Sequence, residues 1–155
     1  MSWDFVFGAA NGLALVCWAL LVLGPRGPLA RTVVFYGGVG LLCLAYSVLL
    51  VLLLTGVIDG GGGASFTSIE GVRAIFASDA GVTVGWIHYL ALDLFAGMWI
   101  ARDADAKGFA RLWQAPVLLL TFLAGPFGLL LWLVIREPAA RRANPRQGIK
   151  RGLKL

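Results

Sequence analysis

The chain has 155 residues, of which 59% are hydrophobic and 14% charged, and a mean hydropathy of +0.85. A soluble domain carries about 25% charged residues, so this chain cannot clothe a water-facing surface, and it is far too apolar to be disordered. Its 21 glycines sit beside only six prolines with no triplet repeat, which excludes a collagen-like chain. The remaining class is an all-α integral membrane protein small enough to form one bundle.

Four stretches are apolar over enough residues to cross ~30 Å of hydrocarbon at ~1.5 Å per residue: 5–23, 32–58, 82–100 and 115–135. They are continuous rather than alternating, which favours helices over a barrel. The expected architecture is a four-helix transmembrane domain over 1–136 followed by a basic, flexible tail over 137–155. The first span follows Asp4 with no Lys or Arg before it, unlike the basic start of a signal peptide. Gly24-Pro25 ends it. Between spans 2 and 3, Asp59-Gly-Gly-Gly-Gly63 reads as a flexible connector. Thr67-Ser-Ile-Glu70 then fits a capping box with Thr67 at the helix start. Phe66, Ile69, Val72 and Phe76 recur at helical spacing. A short interfacial helix is therefore predicted over about 67–77, with Glu70 and Arg73 toward water or a cavity mouth.

With four crossings, the seven basic residues of the tail join Arg73 on the N-terminal side, eight against five. The positive-inside rule then places both termini in the cytoplasm. The net charge of +5 carries no aromatic interleaving and no nucleic-acid module, so no nucleic-acid partner is expected. A juxtamembrane basic cluster serves topology or attraction to anionic lipid. Cys17 and Cys43 lie within spans and outside any Cys-x-x-Cys pair, so they read as small packing residues.

Span 3 carries the chemistry. His88 and Asp93 fall inside the hydrocarbon, where an acid costs about 2.5–3.5 kcal/mol and needs a partner, a bundle interior or a water pocket. Five residues place them ~140° apart around a helix, on different faces, whereas Trp86, Tyr89, Asp93, Gly97 and Ile100 share a stripe. Asn11 and His88 sit at similar height, ~4–5 Å from mid-span, near Tyr46 and Ser47 of span 2. Gly125-Pro126 falls at the middle of span 4, where the proline frees a carbonyl near Phe122. Two readings stay open. Asn11, Tyr46, Ser47, His88 and Asp93 form a packing network worth about 0.6 kcal/mol per hydrogen bond, or they form a polar site. Gly8-x-x-x-Gly12 and Gly81-x-x-x-Gly85 allow close helix approach.

Absent motifs narrow the enzyme classes. One histidine cannot supply the ligand set of a membrane di-iron enzyme or a bis-His haem. Phosphate-binding, dinucleotide-binding and nucleophile-elbow patterns are missing. No metal and no cofactor are expected. Acid–base work on an apolar substrate remains, with Asp93 or Glu70 as acid and His88 as base.

Gly85-Trp-Ile-His-Tyr-Leu-Ala-Leu-Asp-Leu-Phe95, followed by Trp99 and Arg102-Asp103, resembles a signature of the abscisic-acid-deficient-four-like family of neoxanthin-synthase-like membrane proteins. Leu118-Leu-Leu-Thr-Phe-Leu-Ala-Gly-Pro-Phe-Gly-Leu-Leu-Leu131, Ser68-Ile-Glu-Gly-Val-Arg73, and Asn11 with Trp18 are similar to it as well. The resemblance covers most of 5–136. It implies a four-helix membrane protein linked to conversion of violaxanthin to neoxanthin, an isomerisation in which an epoxide opens and an allene forms. His88 and Asp93 match the family block. Our own assignment makes His88, Asp93 and Glu70 the catalytic candidates. Asn11, Tyr46, Arg73, Trp86, Tyr89, Trp99 and Phe122 then bind substrate, four of them (Trp86, Tyr89, Trp99 and Phe122) lining one aromatic cavity. The expected partners are membrane lipid and a carotenoid or other isoprenoid ligand, with a homo-oligomer left open. With no transit sequence the chain resembles a bacterial member, expected in the inner membrane. The alternatives are a carotenoid- or lipid-binding protein without turnover, and a helical bundle that binds partner proteins or moves a solute.

Overall fold

A computed structural model describes residues 2–25, 27–60 and 62–143. Among these the regular structure is all helical, without strands. Helix α1 (Trp3–Leu23) is capped by the Ser2 hydroxyl, which accepts from the Phe5 N–H. It stops at Gly24, where a Cβ would strike the Leu20 carbonyl. Pro28 opens α2 (Pro28–Thr32), which passes into a π-helical segment (Val33–Gly40) and then α3 (Leu41–Leu54). Together they make one helix over Pro28–Leu54, starting and ending four residues before the expected 32–58. The π segment holds Gly37, Gly38 and Gly40. At Gly38 the neighbouring helices come so close that a Cβ would collide with the Cys17 thiol, the small-residue contact that membrane helices use to approach.

Helix α4 (Ile69–Ile75) is the short interfacial element, capped one residue later than expected. Ser68, not Thr67, accepts from the Gly71 N–H at 3.0 Å, and the Thr67 hydroxyl pairs with Ser65 at 2.8 Å. Glu70, now in the first turn, favours the N-terminal end of the helix dipole.

Helix α5 (Asp79–Ala106) is the axis of the fold: 14 of its 28 residues are buried. It packs against α1, the π segment, α3, α6 and α7. Gly97 makes this possible, because the Trp18 ring lies where its Cβ would be. A Schellman cap ends α5. Gly108 has φ +74°, its N–H donates to Asp105, and the Phe109 N–H donates to Ala104 at 3.0 Å.

The last apolar stretch departs from expectation. It is two helices, α6 (Arg111–Leu123) and α7 (Gly125–Ala143), broken at Ala124 with φ −152° and ψ 69°. Pro126 has no N–H to continue α6, and the Phe127 N–H turns to the Ala124 carbonyl at 2.9 Å. Thr121 and Gly128 then touch so closely that a Cβ on Gly128 would meet the Thr121 backbone. Seven residues along a straight helix would separate them by ~10 Å, so the chain folds back. Side-chain partners confirm it. Gln114 of α6 reaches Asp105, Trp132 and Arg136 of α7 both reach Asp103, and between these arms Gly125 abuts Asp93. Both arms therefore lie along the C-terminal half of α5.

Among the described residues, three helices are long and apolar enough to cross a membrane: Trp3–Leu23, Pro28–Leu54 and Asp79–Ala106. Where a fourth crossing was expected, there is a helical hairpin. Large apolar side chains, among them Leu15, Leu44, Val51, Leu119 and Val134, stand exposed on the outer faces, as lipid contact requires and water contact would penalise. Residues 144–155, which hold most of the expected flexible tail, lie outside the described residues, and α7 runs helical up to them.

Candidate functional site

A cavity of about 310 Å³ lies between α3, α4 and the N-terminal half of α5. Its walls are apolar, with Leu50, Phe66, Phe76 and Val84 among them, and its two polar side chains are Tyr46 and His88. Their rings are 5.1 Å apart, tilted by 52°. Tyr46 lies eight residues before Leu54 and His88 nine after Asp79, so the cavity reaches ~12–14 Å inward from the helix ends. Residues 62–78 cover the outer end. The Ser78 hydroxyl donates to the Gly60 carbonyl at 3.1 Å, which ties the start of α5 to the chain that follows α3. Phe76 rests on Gly85, where any Cβ would displace the ring. Gly81 likewise lies against the Ile75 carbonyl. The Gly81-x-x-x-Gly85 pattern thus receives the α4 segment rather than another helix, and a Cβ on Gly8 or Gly12 would have nothing within 4 Å.

Asp93 faces a different part of the molecule. It is buried at the α6–α7 break, its carboxylate against Gly125 and beside Tyr89, with Oδ2 lacking a hydrogen-bond partner among the described residues. The Tyr89 hydroxyl donates to the Leu123 carbonyl at 3.3 Å. That carbonyl is the one the Phe127 N–H has abandoned, one residue beyond the position expected from Pro126. The two quoted signature blocks, in span 3 and at Gly125-Pro126, therefore pack on each other.

The remaining sequence-derived candidates scatter. Trp86 donates from Nε1 to Asn11 Oδ1 at 3.0 Å, while Asn11 Nδ2 donates to its own helix at the Phe7 carbonyl, 2.8 Å away. Trp86 also stacks on Phe7 and Tyr89, at 5.7 and 5.2 Å between centroids. Phe122 packs edge-on against buried Trp18. Trp99 carries the Arg136 guanidinium 5.2 Å from its ring centre. Among the described residues these four rings pack at three places, Trp86 with Tyr89, Phe122 on Trp18 and Trp99 under Arg136, and none of the four lines the His88 cavity. Glu70 and Arg73 are exposed on α4 and do not line the cavity. Ser47 bonds its own helix at the Cys43 carbonyl, so the expected five-residue polar network reduces to the Asn11–Trp86 bond and the Tyr46–His88 ring pair.

Sequence reading missed a polar clamp at the C-terminal end of α5. Asp103 accepts from Arg136 Nε and Nη2 at 2.9 and 3.0 Å, from Trp132 Nε1 at 3.0 Å, and pairs with Lys107 at 3.2 Å. Asp105 accepts from Arg31 and from fully buried Gln114, each at 3.0 Å. The Asp103–Lys107 spacing of four was a readable signal. Such a clamp fixes the hairpin arms at the end of α5, away from the His88 cavity.

The arrangement defines a class: a helical membrane protein with a small apolar cavity holding one histidine. A profile of the ABA DEFICIENT 4-like family matches residues 5–132, and the chain belongs to that family. Membership makes it a carotenoid-related membrane protein. No curated protein and no solved structure matches it. Among the described residues no cluster of three or more His, Cys, Asp or Glu side chains is placed to hold a metal ion.

Proposed function

We propose that the protein admits the ring end of a carotenoid or related isoprenoid into the His88 cavity and isomerises it by cofactor-free acid–base chemistry, in a bacterial cell membrane. The carrying observation is that the chain's one histidine opens into an apolar cavity beside a phenol. At about 310 Å³ the cavity lies at the lower end of the ~300–1,000 Å³ typical of ligand sites. That suits an end group whose polyene remains in lipid.

Geometry changes the assignment of roles. With Asp93 at the hairpin and Glu70 exposed, Tyr46 is the acid partner of His88. For an epoxide substrate, the Tyr46 hydroxyl protonates the ring oxygen as the C–O bond breaks, and His88 removes a proton from the adjacent polyene carbon. The released C–H pair becomes the new double bond. His88 then returns its proton to Tyr46. No electrons are gained or lost overall, as an isomerase without redox cofactor requires.

The test is expression in a host that accumulates an epoxycarotenoid, with pigments separated by chromatography. A new isomeric pigment that disappears in His88→Ala and falls sharply in Tyr46→Phe supports the proposal. Among the described residues no carboxylic acid lines the cavity, which favours a second reading, binding without turnover. In that case pigment co-purifies chemically unchanged, and His88→Ala lowers its amount. If wild-type protein neither converts nor retains pigment, both readings fail.

A further inference from the structure

The α6–α7 hairpin reverses the expected orientation of the chain. Helices α1 and α5 run parallel: Asn11 meets Trp86 near their starts and Trp18 meets Gly97 further along. The end of α1, the start of α2 and the end of α5 accordingly share one face, tied by Arg111 to the Gly24 carbonyl at 2.8 Å and Arg31 to Asp105 at 3.0 Å. The hairpin starts from that face, turns beside Asp93 and returns to it at Arg136. Three crossings place the start of α1 and the end of α7 on opposite sides of the membrane.

Charge then divides sharply. Among the described residues, the face holding the α5 C-terminus carries seven of the eight basic residues, against Asp103, Asp105 and Glu137. The opposite face has Arg73, against Asp4, Asp59, Glu70 and Asp79. Under four crossings the same eight basic residues would divide four against four. The positive-inside rule counts Lys and Arg close to the span ends, and only the three-crossing topology gives it a one-sided answer.

We infer that the N-terminus and the α4 segment face away from the cytoplasm, and that the open ends of the hairpin arms, with the basic residues beside them, face the anionic headgroups of the cytoplasmic leaflet. The mouth of the His88 cavity, under α4, then opens to the non-cytoplasmic leaflet. That last consequence rests on the ligand reading above; the orientation does not. An apolar ligand would reach His88 from the outer leaflet without crossing the charged face.

The experiment is single-cysteine labelling of the full chain in intact cells with a membrane-impermeant maleimide, together with a green fluorescent protein fused to the C-terminus. Gly62→Cys has open space around it, and Ala110→Cys is exposed at the start of α6. The parent chain, with Cys17 and Cys43 inside spans, is the blank. The expected pattern is labelling of Gly62→Cys from outside, labelling of Ala110→Cys only after permeabilisation, and a fluorescent C-terminal fusion. Ala110 and the C-terminus on opposite sides overturns the hairpin as a non-crossing element. Ala110 and the C-terminus both outside, with Gly62 inside, overturns the orientation. The pattern is read without ligand, so a failed pigment assay leaves it standing, and a failed labelling pattern leaves the pocket standing.

Discussion

Replacing Asp103 with alanine removes the one acceptor shared by three donors at the end of α5. Its side chain is 15% exposed, those of Arg136 and Lys107 are 23% and 10% exposed, and Trp132 is completely buried. Removing the carboxylate from such a half-dry network costs about 3–5 kcal/mol. The lost Trp132 bond belongs to the same network and is not added separately. At roughly 2–4 °C per kcal/mol for a chain of this size, the midpoint should fall by about 6–20 °C. The control is Arg31→Ala. Its pair with Asp105 has side chains 41% and 25% exposed, and solvent reduces such pairs to about 0–1 kcal/mol, so the fall should stay below about 4 °C. Thermal unfolding of detergent-solubilised protein, followed by loss of monodisperse elution, measures both. Equal shifts for Asp103→Ala and Arg31→Ala would refute the idea that the clamp holds the hairpin.

Three further outcomes follow from the same geometry. His88→Ala should abolish pigment conversion or retention, whereas Asp93→Asn, at the hairpin, should leave retained pigment within about twofold; pigment chromatography on both variants decides it. Gly97→Ala forces a methyl into the Trp18 ring and should cost about 1–3 kcal/mol by overpacking. Gly12→Ala, with open space around it, should be neutral or gain up to about 1 kcal/mol from helix propensity, as read from the two melting midpoints. Tyr89→Phe leaves the Leu123 carbonyl at the helix break without its donor. The expected cost is about 1 kcal/mol, visible as a few degrees in the same thermal assay.

The limits of sequence reading in this chain have a geometric origin. Hydropathy reports how far along a helix a residue lies, and depth is legible here: three of the long apolar stretches are helices able to cross, and Tyr46 and His88 meet at similar depth. Rotation about the axis is harder, yet the five-residue spacing correctly separated His88 from Asp93, which face α3 and the hairpin respectively. What the sequence withheld is which neighbour occupies each face. Trp86, Tyr89, Trp99 and Phe122 are all aromatic and all near one another in depth, but Phe7, Trp18 and Arg136 claim them separately.

The hairpin was harder still, because 21 apolar residues satisfy a membrane equally well as one crossing or as two half-length helices. Pro126 marked a break without giving its angle. The angle is set by Gly128 lying on Thr121 and by Gly125 lying on Asp93, two contacts that admit no Cβ. A glycine four residues into a new helix has no local purpose, since it only weakens the helix. It becomes intelligible once the preceding helix must pass within touching distance. The Gly-Pro-x-Gly sequence is therefore better understood as a fold-back device than as a kink, and it is this short segment that decides how many times the chain crosses and which face carries the basic charge.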